Sequence, residues 1–288
     1  MRIERARSSS GPRTRIWRPT PALIVPGLAP KNSGVVEGDT DGEMLGLAEG
    51  ENVGALLRWS SAKRRRIRES RIAGTRLLAE HLAAMIVPPR TLICASAVGW
   101  YGDRGDDVLD EDEPAGDDFF AEVVRDWEAA CEPAVAAGIR VVNLRFGIVL
   151  SPQGGALPRM LPPLFAPLGA GSIGGGQQWW SWIAMDDAIG AIHHALCDQR
   201  LRGPHNVVTG AVRQHDFAAT VGRVLRRPAV IPLPRFAVSG AMGEMGRLLL
   251  LSSARVSSER LIASGYRFRL PNLEGALRHL LGRREFET

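Results

Sequence analysis

Two short apolar runs, each preceded by a helical segment, constrain the fold of this chain most strongly. Residues 91–96 (TLICAS) form a short apolar run of the kind that a strand buried on both faces produces, and residues 140–146 (RVVNLRF) predict a second central strand. Helical periodicity precedes them over residues 61–86 and over a segment beginning near Asp117 and Asp118, either of which can cap a helix. This alternation predicts right-handed crossovers and a parallel α/β sheet.

The second half of the chain has a looser alternation. Residues 151–182 are predicted as loop, and a helix capped by Asp186 is predicted to follow as far as Cys197. Loops at the carboxyl ends of parallel strands form the binding crevice of such sheets, so this later material is expected to cap that crevice. Further strands are predicted at 205–208 and 229–233, and further helices at 215–225, 235–251, 257–264 and 272–281.

Composition excludes several classes of protein. The chain has 45% hydrophobic and 23% charged residues and no apolar run near the roughly 18 residues of a membrane helix, which predicts a soluble globular protein. Three widely spaced cysteines (Cys94, Cys131, Cys197) predict no disulfide framework and a reducing cytoplasm. The net charge of +5 is spread along the chain except at Lys63–Arg68, predicted as a solvated helix face, so no nucleic-acid or membrane partner is expected.

Three familiar signals of function do not apply to this sequence. Residues 169–174 (GAGSIG) match the dinucleotide fingerprint G-x-G-x-x-G, but prolines precede them and no helix follows, so a flexible loop over the site is predicted. The six histidines show no metal-ligand spacing, so no metal is expected. No G-x-S-x-G sequence is present to support a serine hydrolase.

Several local patterns occur in a fixed order and carry a family resemblance. The first is Ser96–Asp103 (SAVGWYGD), and those that follow are Asp110-Glu111, Trp127-Glu128, Leu144–Leu150 (LRFGIVL), Gln177–Ile183 and Asp186-Asp187. Together they resemble the extended short-chain dehydrogenase/reductase superfamily. Within it they are most similar to the sugar-nucleotide epimerase-like branch, labelled NAD-dependent epimerase/dehydratase or cell-division inhibitor-like. The resemblance runs from Leu45 to Leu281 and includes a small C-terminal domain without assigned function.

The resemblance implies a Rossmann-like doubly wound parallel sheet followed by a small α+β C-terminal domain. It also implies NADP or NAD as the cofactor, hydride transfer at a carbon that bears oxygen, and a small-molecule substrate of unknown identity. A homodimer is a further expectation. The predicted units are an irregular N-terminus at 1–44, a partial NAD(P)-binding domain at 45–202 and the C-terminal domain at 203–288.

The N-terminus departs from the family pattern. The family begins with a strand, a glycine-rich turn and a helix that hold the pyrophosphate, and a second strand follows. Residues 1–44 contain no strand followed by G-x-x-G-x-x-G, as a truncated or misassembled reading frame or a diverged fragment would produce. The sheet is therefore expected to lack its first strands, which leaves unpaired edges unless the unusual N-terminus fills the gap. Weak dinucleotide binding is expected as a result.

The catalytic pattern departs as well. Superfamily enzymes move a proton with a tyrosine and a lysine four residues later, and counting back from Glu128 places these positions at Phe120 and Val124. Two interpretations stay open: an epimerase-like or oxidoreductase-like enzyme, or a non-catalytic regulatory or partner-binding protein on the same fold. The site residues that the resemblance implies are Ser96 and Tyr101 for catalysis, Ala95, Arg145, Phe146, Gly147 and Ile148 for the cofactor, and Gln177 and Trp182 for the substrate.

Overall fold

The central element of the fold is a four-stranded parallel sheet. The structure is a computed structural model that describes residues 22–25, 60–158, 170–228 and 231–283. Every pair of neighbouring strands in this sheet is parallel, which confirms the predicted α/β class. Its strands, in spatial order, are β1 (Ala22–Val25), β2 (Thr91–Ala97), β4 (Arg140–Phe146) and β8 (Gly203–Val207).

The strand β1 covers an edge of β2 that was expected to lack a partner. Its residues Ala22 to Val25 pair in parallel with Thr91 to Cys94. The expectation that the N-terminus supplies none of the first strands is therefore wrong for this strand. Four apolar residues between two prolines are too short a pattern to identify a strand, because what fixes this one is pairing with a distant segment. Residues 26–59, where a glycine-rich turn would follow, lie outside the described residues.

Helices cover both faces of the sheet. On β4 the guanidinium of Arg145 binds Glu128 in the second helix, whereas that of Arg140 donates to the carbonyl of Ala195 in the fourth. Residues 140 and 145 differ by an odd number, and alternate strand residues point to opposite faces, so the two helices lie on opposite sides. The helices of this unit are α1 (Ser61–Ala84), α2 (Phe119–Ala129), α3 (Glu132–Ala136) and α4 (Met185–Cys197).

A second sheet occupies the region that was predicted as loop. Its strands are β5 (Ile148–Leu150), β7 (Trp179–Ala184) and β9 (Gly210–Arg213). Strands β5 and β7 are parallel, whereas β7 and β9 are antiparallel. Two further strand pairs join β6 (Ala170–Ile173) to β10 (Ile231–Leu233) and β3 (Val108–Leu109) to β11 (Arg255–Val256).

The glycine-rich run at 169–174 contains strand β6, so the prediction of a flexible loop is wrong for its described residues. Strand β6 pairs in parallel with β10, more than 50 residues later in the chain, a contact that no local pattern reveals. A turn with positive φ at Gly174, Gly175 and Gly176 follows the strand. Because a turn and not a helix follows, the run lacks the strand-to-helix geometry of a dinucleotide fingerprint.

Of two predicted helix N-caps, one is confirmed and one is wrong. Asp118 caps α2 as predicted, and its Oδ1 accepts from the backbone N–H groups of Phe120 and Ala121 at 2.8 and 2.9 Å. Asp186 does not cap α4, because Ala184 occupies the N-cap position and Asp186 lies in the first turn. A neighbouring acid matters more for packing: the fully buried Asp187 accepts from backbone N–H groups of the C-terminal segment.

The C-terminal part packs as a helical unit against the second sheet. Apolar residues of its helices, among them Phe217, Val221 and Leu277, share a core with Trp180 and Trp182. Strand β8 pairs with β4, so the predicted start of this domain at residue 203 falls inside the main sheet. Its helices are α5 (Gln214–Leu225), α6 (Arg235–Gly246), α7 (Glu259–Ala263) and α8 (Leu273–Leu280), and a π-helical turn (Arg247–Leu251) continues α6.

The basic run at 63–68 lies in the first two turns of α1. Arg65 is on the solvent face, as predicted, whereas Lys63 is buried. Arg64 pairs with Glu244 at 3.2 Å, which ties the helix to the C-terminal unit. Among the described helices, none combines the length and the apolar character needed to cross a membrane.

Candidate functional site

A cavity of about 400 Å³ opens where β2 and β4 end. The carboxyl ends of neighbouring parallel strands are the usual position of a binding crevice in α/β sheets. The walls of the cavity are contributed by the end of β2 and the turn after it (Ala95, Ser96, Val98, Gly99), by α2 (Phe120, Val124, Trp127), by the β4–β5 junction (Phe146, Gly147, Ile148) and by β7 and the π-helical turn (Trp179, Trp180, Leu248, Leu249).

The structure brings together five of the nine predicted site residues. Those that line the cavity are Ala95, Ser96, Phe146, Gly147 and Ile148. They come from adjacent strands paired in register, with Ser96 opposite Arg145 and Ala97 opposite Phe146, so the two strand ends lie side by side. The geometry therefore agrees with a common site for these five residues, and their roles stay predictions.

Phe120 and Val124 occupy the cavity wall at the positions counted for the proton-transfer pair. They lie one helical turn apart on α2, so both face the same side of the helix. Neither side chain can donate or accept a proton. On this side, the cavity offers hydrocarbon surface to a ligand.

Ser96 is held by a buried ion pair. Its hydroxyl donates to Oε1 of Glu128 at 2.5 Å. The same carboxylate accepts from Nε and Nη2 of Arg145 at 2.8 and 2.9 Å, a bidentate arrangement. Burial lowers the pKa of Arg145, but hydrogen bonding and the charge of Glu128 outweigh it, so this pKa lies above its ordinary value. The ion pair thus fixes the orientation of the Ser96 hydroxyl.

Arg145 and Tyr101 lie behind the cavity wall and do not line it. The guanidinium of Arg145 stacks 3.8 Å from the Trp100 ring centroid and donates to the Tyr101 hydroxyl at 3.2 Å. That hydroxyl donates to Oδ1 of Asn206 at 2.8 Å. Burial raises the pKa of the fully buried Tyr101. The expected placement of Tyr101 at the substrate and of the Arg145 side chain at the cofactor is therefore not what the structure shows.

Gln177 and Trp182 also lie away from the cavity, and Trp179 and Trp180 line it instead. Because residues 179–184 form a strand, pairing fixes their positions: Trp182 lies opposite Ile148 and is buried in the second core. Gln177 is exposed in the turn before the strand. Trp179 and Trp180 begin this strand, and the strand starts at the cavity.

Sequence reasoning missed part of the wall altogether. Leu248 and Leu249 come from a π-helical turn, and Arg71 comes from α1 far upstream. The kink at Gly243, where φ is 59° and ψ is −136°, precedes this turn. The three glycines of this segment, Gly240, Gly243 and Gly246, were the indication in the sequence that residues 235–251 do not form a continuous α-helix.

Gly147 allows the β4–β5 junction to approach strand β7 closely. A Cβ atom at this position would lie 2.6 Å from the backbone oxygen of Ser181, which is far inside contact distance. Only glycine therefore fits here without a backbone shift.

We expect Gly147→Ala to lower the free energy of unfolding by about 1 to 3 kcal/mol because of this backbone clash. Gly154→Ala is the matched control, because nothing lies within 4 Å of its added Cβ and its φ is not positive. Urea unfolding of both variants measures the difference. Equal midpoints for Gly147→Ala and the wild type would contradict the close approach.

Within the described part of the chain, no group of three or more histidine, cysteine, aspartate or glutamate side chains is arranged to hold a metal ion.

Comparison with known proteins identifies relatives along most of the chain. The model of the NAD dependent epimerase/dehydratase family matches residues 53–210, and that of a domain of unknown function matches residues 233–280. An epimerase family protein of Mycobacterium bovis is 41% identical over 215 residues, which cover 74% of this chain and 70% of the relative.

Two solved structures are also similar. The human epimerase family protein SDR39U1 (isoform 2), solved with NADPH, has a TM-score of 0.78 and 34% identity, covering 84% of this chain and 82% of that chain. The nucleoside-diphosphate sugar epimerase from Corynebacterium glutamicum has a TM-score of 0.66 and 36% identity, covering 86% of this chain and 48% of that one. With its fold, its family-model match and these relatives, the chain belongs to the NAD-dependent epimerase/dehydratase family.

Proposed function

We propose that this protein binds NADP(H) or NAD(H) and acts as an oxidoreductase-like or epimerase-like enzyme, with the nicotinamide end of the cofactor in the cavity beside a small-molecule substrate. One observation carries the proposal: Ala95, Ser96, Phe146, Gly147 and Ile148 line a single cavity at the carboxyl ends of two parallel strands. The similar human structure with NADPH supports the choice of cofactor.

The residues of the cavity fit a nicotinamide ring. Gly147 presents bare backbone at the strand junction, and hydrocarbon side chains such as Phe120, Val124 and Ile148 surround it. A flat, mostly apolar ring with one polar substituent is well suited to such a lining. The bound nicotinamide would supply hydride transfer at a carbon that bears oxygen. The apolar side chains would exclude water, and Ser96 would provide a hydrogen-bonding group.

A second candidate function is binding without catalysis, and the same geometry favours it. Phe120 and Val124 stand where the superfamily has its proton-transfer pair, and Tyr101 keeps its hydroxyl bonded behind the wall. A regulatory protein that binds a dinucleotide and, in its bound form, interacts with a partner needs no residues that transfer a proton. Conversion of added nucleoside-diphosphate sugars, followed both as net oxidation of NADPH and as epimerisation of the sugar without net change in the cofactor, would support the enzyme. Binding of NADPH without either conversion would support the second candidate.

We expect wild-type protein to bind NADPH, but weakly, since the sequence of residues 1–44 has no G-x-x-G-x-x-G pattern of the kind that holds a pyrophosphate. Ile148→Trp fills the cavity and should weaken this binding about 10-fold or more, a loss of about 1.4 kcal/mol. The matched control is Ile189→Trp, which places the same side chain on an isoleucine that is 60% exposed on α4.

The dissociation constants of both variants for NADPH are measured by ligand-observed NMR or by calorimetry. The proposal predicts that only Ile148→Trp loses affinity. Equal affinities in the two variants would place the cofactor elsewhere, and no binding by the wild type would remove the proposal.

A further inference from the structure

The direction of the hydrogen bond at Ser96 determines what this side chain can offer a ligand. Glu128 accepts from Ser96 and from two nitrogens of Arg145. An ionised carboxylate has no proton and can only accept, while a serine hydroxyl has one proton and two lone pairs. The Ser96 proton is therefore used in the bond to Glu128.

The carboxylate of Glu128 is the counter-charge of a buried guanidinium. The Arg145 side chain is 2% exposed and that of Glu128 is 10% exposed, so solvent screens their attraction poorly. The pair is bidentate, the geometry in which arginine binds a carboxylate most strongly. A protonated Glu128 would leave the buried guanidinium without a counter-charge. Glu128 therefore has no proton to give back to Ser96.

We propose that Ser96 presents only acceptor lone pairs to the cavity, so that the ligand group it recognises is an O–H or N–H donor. If the proposed function holds, this means that the alcohol form of the substrate binds at Ser96 in preference to the carbonyl form. The superfamily resemblance implied a catalytic role for Ser96 and did not specify this polarity. The buried Glu128–Arg145 pair behind the wall sets this polarity, which makes both of them positioning residues.

A second serine in the wall provides a natural comparison. Ser181 also lines the cavity, but its hydroxyl donates to the carbonyl of Ala254 at 2.7 Å and accepts from the backbone N–H of Val256 at 3.0 Å. Both bonds are internal to the protein and bind it to β11. Ser181 is therefore not expected to discriminate between ligands.

The test compares cyclohexanol with cyclohexanone, which match in shape and differ in that only the alcohol has a proton to donate. Dissociation constants are measured by ligand-observed NMR on the full chain without cofactor. One net hydrogen bond predicts that wild type binds the alcohol about 3- to 10-fold more tightly than the ketone. Ser96→Ala should weaken alcohol binding by the same factor and leave ketone binding unchanged. Ser181→Ala should keep the preference.

Two results would overturn the proposal: equal binding of the two probes by the wild type, or a loss of ketone binding in Ser96→Ala, which would mean that Ser96 donates. Thermal unfolding of both alanine variants verifies that they are folded. Because no cofactor is present, the outcome is independent of the NADPH titration. Alcohol preference without NADPH binding would refute the proposed function alone, and NADPH binding without alcohol preference would refute this inference alone.

Discussion

Replacement of Glu128 by alanine is expected to lower the free energy of unfolding by about 3 to 5 kcal/mol, because it leaves a buried guanidinium without its counter-charge. The Arg145 residue is 1% exposed, and two of its hydrogen bonds go to Glu128. Its remaining neutral partners, the Tyr101 hydroxyl and the Trp100 ring, cannot balance the charge. Urea unfolding monitored by tryptophan fluorescence measures the change.

A surface ion pair supplies the control for this prediction. Glu69 lies 3.9 Å from Arg65 on α1, and both side chains are more than 60% exposed. Glu69→Ala should therefore change stability by less than about 1 kcal/mol. The double variant Glu128→Leu with Arg145→Met removes both charges and should recover much of the loss, since no unpaired charge stays buried. A double variant that is as unstable as Glu128→Ala would show that packing, and not charge, dominates.

Local pattern was sufficient for the elements of the main sheet that are buried on both faces. Strands β2 and β4 lie where the sequence predicted central strands, and helix α2 begins after Asp118. Strands β1, β6 and β7 were missed, because each depends on pairing with a segment far away in sequence. Short strands of four to six residues with glycine or tryptophan carry too little periodicity to be identified locally.

The candidate site divides in the same way. Ser96 and Phe146–Ile148 line the cavity, at or just after the ends of strands that the sequence pattern identified, and their roles stay predictions. Arg145 precedes Phe146 by one residue on the same strand. Because strand side chains alternate, the side chain of Arg145 points toward Glu128, behind the cavity wall. Because alternate residues of a strand face opposite sides, the sequence could have indicated that Arg145 and Phe146 face opposite ways once the strand was predicted. The ion pair with Glu128 could not have been predicted, since it requires the packing of α2 on β4.

Replacement of Trp127 by alanine is the second change that is expected to lower the free energy of unfolding strongly. This variant tests how α2 is anchored. The Trp127 residue is 5% exposed, belongs to the main core, and donates from Nε1 to the Thr75 hydroxyl of α1 at 2.9 Å. Trp127→Ala removes a buried aromatic side chain, which costs about 3 to 5 kcal/mol. It also leaves Thr75 without this bond in a buried position, which adds to the loss.

Trp179→Ala is the matched variant, because it removes the same side chain from a partly exposed position in the cavity wall. Trp179 donates to the exposed Asp106 and lies against Arg213 and Arg255, contacts that solvent can largely replace. Its truncation should therefore destabilise the protein far less than that of Trp127. Urea denaturation of both variants, followed by circular dichroism, decides the question. If the two variants unfold at the same urea concentration, α2 is not anchored by Trp127, and the wall that holds Phe120 and Val124 beside Ser96 must be fixed by other contacts.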